Sequence, residues 1–564
     1  MANPNNLDVV KFRVSQILLL TGPLVTLFVN PWTSYDPISL PKAFILSASA
    51  FSILFLALAN FNAFKDSIPK IVKIISISFL TFMSLTFLFS GAPISQQIWG
   101  TFGRNTGYLT YLSLLLVLLA IVWVRSTQFY LRLSWVFVLT SIPMTAYCLI
   151  QIAGRDPIPW SEFDTFGTLG NINFLSAFLA MTSLGALNFA LSKDITLSKR
   201  MFLLVLIVVD LLIIISTGSI QGPIIFGVGV GVYLLIWILD LKRARSIILW
   251  SFASATLIIT YFLAIALRNL GPLASFVYQP SVVFRGDYIH AGWEMTLMKP
   301  VFGVGMDSYG DWYREARGEI STLRTGPDRI ANTAHNIFID ISSNGGVLLG
   351  CTYLALIIFA LLSGVRVLRT NLRSQASFRL IFAVWIAYQV QAMVSINQLG
   401  VGVWGWMFSG ALIGISLLHK EYDPKYTEKK YVVKRRDFRS QSINASQLII
   451  GSLGLALGIT LGAIPLNADM RYRAASSSND LQAMITATSI LGTTAFHKEL
   501  VIDFALRNNL SPEAKELAED LVLDYPRDFF GWRVLSTLDV NSAEQRLQAI
   551  ERLKALDPFN PNLK

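Results

Sequence analysis

The stretch FRGDYIHAGWEMTLMKPVFGVGMDSYGDWY (284–313), with its continuation TAHNIFIDISSNGGVLLG (333–350), is a long polar interruption in a chain otherwise built of apolar runs. Its first part has helical spacing: Phe284, Tyr288, Ala291, Met295 and Met298 repeat at intervals of four and three, so they form one stripe. That pattern predicts a helix lying along a membrane interface, with Arg285 at the flank of the stripe. Asp287, His290 and Glu294 share another face, which reads mainly as a solvated one. Lys299-Pro300 stops the helix, and Gly303-Val304-Gly305 turns the chain. His335 then stands directly before the next apolar run, beside Asn336.

Working outward, the chain is 53% hydrophobic and 14% charged, with a mean hydropathy of +0.54. Soluble domains carry about 25% charged residues. Repeated apolar runs of about 17–25 residues are long enough to cross a bilayer. The reading is therefore an all-α, polytopic membrane protein. Thirteen spans are expected, near 13–29, 41–61, 71–90, 108–124, 132–152, 173–191, 201–217, 221–239, 246–267, 336–362, 378–396, 400–418 and 447–466. The net charge of +11 does not point to nucleic acid, because Lys and Arg sit in short loops between the runs. Cys148 and Cys351 both lie inside apolar runs, which excludes a disulfide framework. The N-terminal apolar stretch reads as a first membrane helix rather than a removed signal.

Orientation follows from the loop cations. Alternate loops hold Lys65, Lys70 and Lys73; Arg125 and Arg132; Lys193, Lys199 and Arg200; Lys242, Arg243 and Arg245; and Arg366, Arg369 and Arg373. The basic loop 419–446 contains HKEYDPKYTEKKYVVKRRDFRS and falls on the same side. The opposite short loops hold Arg104 and Arg155, with Lys42 at a helix edge. This places the N-terminus in the cytoplasm, and the 268–335 loop and the C-terminus outside.

Residues 1–466 thus form a membrane domain. The tail 467–564 changes character: AKELAEDLVLDYPRDFFGWRVLSTL (514–538) precedes AEQRLQAIERLKALDPFNPN (543–562), and Tyr525-Pro526 and Asp557-Pro558 recur 32 residues apart. That interval is close to the tetratricopeptide period. We expect a small extracytoplasmic helical repeat domain that leans on the membrane domain or on a protein partner.

His335 can accept a proton near neutral pH, and Arg285 can hold phosphate oxygens bidentately. Asn171 or Asn173 can cap the helix that follows it. Trp99 and Trp160 suit a membrane interface. All of these residues except Trp160 lie in segments that together resemble the O-antigen ligase family, which includes lipopolysaccharide ligases, O-antigen polymerases and protein O-oligosaccharyltransferases. The carriers are GTLGNINFLSAFLA (167–180), FRGDYIHAGWEMTLMKPVFGVGMDSY (284–309) and AHNIFIDISSNGGVLLG (334–350), supported by WGTFGRNTGYLTYL (99–112) and SLPKAF (39–44).

The resemblance implies inverting glycosyl transfer on the outer side of a bacterial cytoplasmic membrane, without a metal or another cofactor. The donor would be a glycan on undecaprenyl diphosphate, and the acceptor a glycan, lipid or protein. By this similarity Arg285 is the diphosphate clamp and His335 the base. Relatives often carry a second arginine in a Ser-Arg-Gly turn, whereas the chain here reads TGSIQG (217–222). Gln221 stands in that turn without charge, so Arg104 or Lys42 is expected to supply the second cation, with Asn336 beside the base. A polymerase of the same superfamily and a transporter of sugars or lipid-linked sugars are the alternatives. A transporter would show inverted halves or broken helices.

Overall fold

The computed structural model describes residues 4–160, 165–240, 245–266, 268–422 and 445–563. Most of the basic loop 419–446, and Lys242 and Arg243 with it, lie outside the described residues. Every regular element among the described residues is helical. Each of the thirteen expected spans falls on a helix. Nine helices among the described residues are long and apolar enough to cross a membrane, from Leu7–Leu27 to Ala445–Ser476. Of the others, Tyr108–Trp123 and Ala376–Ala392 are short, at 16 and 17 residues. Leu197–Ser216 carries Lys199, Arg200 and Asp210. The protein is a multi-pass, all-α membrane protein.

One continuous apolar core joins the bundle, with Trp123, Trp385 and Trp404 among its largest fully buried side chains. The last long helix, Ala445–Ser476, packs on Ser39–Ala59 through a row of glycines. A Cβ at Gly458 would stand 2.5 Å from the Ser47 carbonyl oxygen. Small residues at four-residue spacing let two backbones approach in a membrane, where lipid supplies no hydrophobic drive. The Ser47 and Ser52 hydroxyls donate to the Gly458 and Gly451 carbonyls at 3.0 and 3.1 Å.

The helix Ile337–Leu368 is broken at Gly346, which adopts φ 79° and ψ 171°. The turn 300–305 fills the break. Val304 and Gly305 donate to the Ser343 and Asn344 carbonyls, and Val347 donates to the Pro300 carbonyl, all at 2.9 Å. A Cβ at Gly346 would stand 2.4 Å from the Val301 oxygen, so only glycine fits the join. Irregular backbone at membrane depth survives when protein satisfies it. The short half, 337–345, is thereby held as a fixed pedestal behind His335.

The tail forms five helices, Leu481–Thr488, Ala495–Arg507, Ser511–Asp524, Phe529–Thr537 and Ala543–Leu556, each packed on its neighbour in the chain. Its core is Ala-rich, with Ala505, Ala514 and Ala518 fully buried. It is anchored to the polar stretch. Asp557 receives Arg314 at 3.0 Å and Arg317 at 2.7 Å, and Arg317 and Asp557 are wholly buried. Arg527 pairs with Glu315 and lies 3.5 Å over the Trp312 ring. Asp469, at the root of the tail, accepts from the Tyr35 backbone and meets His497 at 3.1 Å.

Candidate active site

The loop carrying Arg104 is held at both of its flanks. The Asp307 carboxylate accepts from the Thr101 and Thr106 backbone at 2.8 and 3.1 Å, and from the Thr106 hydroxyl at 2.9 Å. Asn105, at φ 56°, donates to Asp36 at 3.0 Å. Gly100, at φ 97°, lies against Asp307, where a Cβ would sit 2.4 Å from the carboxylate. The TFGRNT turn is thus strapped down around Arg104. Asp36 and Asp307 are both pushed above the usual carboxylate range, chiefly by burial, and the backbone donors oppose that rise.

The helix that carries Arg285 spans Pro280–Met298 and starts with proline in its first turn. Ala291 and Met295 of the expected stripe are buried, whereas Met298 is exposed. The inward face is therefore narrower than the spacing implied. Asp287 pairs with Arg324 at 2.9 Å, so the acidic face is used in a loop contact. Among the described residues no group of three or more His, Cys, Asp and Glu is arranged to hold a metal ion.

His335 takes a left-handed backbone conformation, φ 51°, that a non-glycine residue seldom adopts. The next turn enforces it. The Ala334 N–H donates to Asp340 at 3.1 Å, and Asn336 caps the helix by accepting from Ile339 N–H at 3.1 Å. The imidazole lies 5.3 Å from the Tyr288 ring. Burial first, and then the positive charges of Arg104 and Arg285, together lower its pKa to about 4. The charges of two guanidiniums from separate segments are therefore both felt at one histidine. Burial also lowers both arginines. Among the described residues neither guanidinium makes a hydrogen bond or an ion pair, although Arg104 feels Asp307, Asp340 and Asp36 at longer range.

The other expected site residues fall differently. Lys42 is fully buried, and its ammonium donates to the Thr26 and Phe28 carbonyls at 2.7 and 3.1 Å, closing the end of the first helix. Asn336 spends its carbonyl on the cap and its amide on the Met393 oxygen at 3.1 Å. Gln221 is 7% exposed, and neither of its side-chain polar atoms has a partner among the described residues. The neighbouring Ser219 hydroxyl bonds Asn173 and Ser176, each at 2.8 Å, tying the TGSIQG turn to the GNIN segment. Asn171 caps the helix Ile172–Ala190, as the sequence allowed.

The residues around His335 also meet a family description. Residues 202–354 match the model described as O-antigen ligase. No curated protein matches the chain. The matched segment contains Gln221, Arg285, His335 and Asn336, and it excludes Arg104, Lys42 and the whole tail. Tyr288, Asp307 and Asp340 also lie in the matched segment, and the sequence alone did not single them out as site residues. Asp307 hides in a glycine-rich turn, and Asp340 hides among apolar helix residues. No spacing marks either one.

Proposed function

We propose that the chain transfers a glycan from a polyprenyl-diphosphate donor to an acceptor hydroxyl, with inversion at the anomeric carbon. The observation that carries this reading is that Arg104 and Arg285, neither of them paired among the described residues, both act electrostatically on His335. In this account the bundle crosses the membrane thirteen times, with the N-terminus cytoplasmic and the site and tail outside. The membrane is the bacterial cytoplasmic one.

Arg285 and Arg104 hold the diphosphate, and their fixed charge stabilises it as the leaving group. The bond from the anomeric carbon to the phosphate oxygen breaks, and its electron pair stays on the diphosphate. The acceptor oxygen attacks from the opposite face, and its proton passes to His335. An imidazole at about 4 is a neutral but weak base. Bound diphosphate neutralises the two guanidiniums and so raises the imidazole toward its ordinary range. The base thus strengthens when the donor is seated. Lys42, engaged with two carbonyls, has no part in this clamp, and Gln221 supplies uncharged hydrogen bonds.

The transporter reading has one observation in its favour, the broken helix at Gly346. Its freed backbone groups are taken by the 300–305 turn rather than left to line a substrate path. That arrangement favours a fixed site. A polymerase would use the same chemistry with a second donor glycan as acceptor. The test is detergent-purified protein with a radiolabelled lipid-linked oligosaccharide and three acceptors: a lipid core, a protein and a second donor. Release of polyprenyl diphosphate with a labelled product supports transfer, and the labelled product names the acceptor. An intact donor in every arm contradicts it.

A further inference from the structure

A cleft of about 440 Å³ separates the tail from the membrane domain, a size typical of small-ligand sites. Its near wall is made by Gly100, Thr101 and Phe102 of the Arg104 loop and by Ile330 and Asn332 of the His335 loop. Its far wall comes from the tail, through Phe496, Glu499, Tyr525, Phe529 and Phe530. The two loops that carry the proposed chemistry therefore open onto it.

The lining has two kinds of group. Aromatic faces come from both walls, and Phe102 and Phe496 stack across the gap at 4.1 Å. The polar groups are Asp311, Glu499 and Asp528 on one side of the charge balance and Arg314, Arg527 and Arg533 on the other. Two of the guanidiniums are committed elsewhere, Arg314 to Asp557 and Arg527 to Glu315. Among the described residues the carboxyls have no such cation. Asp311 accepts from Gln96 at 2.7 Å, and Glu499 hydrogen-bonds Asp528. Burial, and for Glu499 also Asp528, pushes Glu499 up to about 9 and Asp311 up to about 7. Two of the three guanidiniums are already paired and the buried carboxyls favour their neutral forms, so a charged ligand of either sign gains little. A neutral, hydroxyl-rich ring gains hydrogen bonds from the carboxyls and contact from the aromatic faces.

We propose that this cleft binds the acceptor as a neutral carbohydrate, with the tail forming the wall that grips it. The inference deepens the transfer reading and rests on it for the word acceptor, but binding itself needs neither donor nor turnover. Detergent-purified full-length protein is applied to a glycan array of neutral and acidic oligosaccharides together with a lysine-rich peptide. Wild type is compared with Glu499→Gln on the far wall, Phe102→Ala on the near wall, and the exposed control Glu544→Gln. Wild type and the control retain neutral glycans, and each cleft variant weakens them about tenfold. Absence of neutral-glycan binding, equal binding by both cleft variants, or selective capture of the peptide overturns the proposal. Transfer by His335→Ala protein would instead overturn the chemistry and leave this result standing.

Discussion

Two sets of arginines lie at the same end of the molecule and are treated in opposite ways. Where the tail meets the bundle, Arg314 and Arg317 close on Asp557, and Arg527 closes on Glu315. Around His335, Arg104 and Arg285 make no such pair among the described residues. Buried ion pairs hold parts together, and removing one partner strands the other charge. Cations kept without a partner in a semi-buried mouth are costly unless an anion visits. The difference separates the groups that build the molecule from those available for a ligand.

The comparison breaks if the two sets respond alike to substitution. Replacing Arg314 and Arg317 together by alanine strands the wholly buried Asp557. It should cost about 3–5 kcal/mol, read as a lowered unfolding transition and early proteolysis of the tail. Arg104→Ala should leave that transition nearly in place and reduce transfer about a hundredfold. If Arg104→Ala unfolds the protein while the Arg314→Ala, Arg317→Ala double variant does not, the assignment of roles is reversed.

The pH dependence sharpens the same contrast. Burial and the two arginines depress His335 to about 4, so the folded protein binds fewer protons than the unfolded chain between 6.5 and about 4. Folding is unaffected by this group above 6.5 and is progressively disfavoured as pH falls toward 4. The acid limb of kcat/KM, which reports the free enzyme, should lie near 4. The limb of kcat, which reports the donor complex, should lie higher. Arg104→Ala should move the kcat/KM limb upward, and coincident limbs in wild type and variant would remove Arg104 from the site. The smallest effect is expected at the cap. Asn336→Ala should cost about 1 kcal/mol of stability, measured by thermal unfolding.

Much of the architecture was legible because it rests on periodicity and length. Apolar runs placed a helix under each expected span, and helical spacing placed the helix that carries Arg285. The number of membrane crossings was less legible, since short helices such as Tyr108–Trp123 and charged ones such as Leu197–Ser216 do not declare their path. Lys42 shows why a cation at a helix edge is ambiguous. Its charge reads as a ligand site in the sequence, but two carbonyls close in space consume it. Asp307 shows the converse. Nothing local distinguishes it, and its value comes from a loop about two hundred positions away. The tail cleft was illegible for the same reason, because its walls are brought together only by tertiary contacts.

The central claim is that His335, under the charge of two arginines, accepts the proton of the attacking hydroxyl. The direct measurement is single-turnover transfer by purified His335→Ala protein, using labelled lipid-linked donor and saturating acceptor, beside donor binding by the same preparation. The account predicts that the donor still binds and that glycan transfer falls by at least about a hundredfold. Transfer at the wild-type rate by folded His335→Ala protein would contradict it.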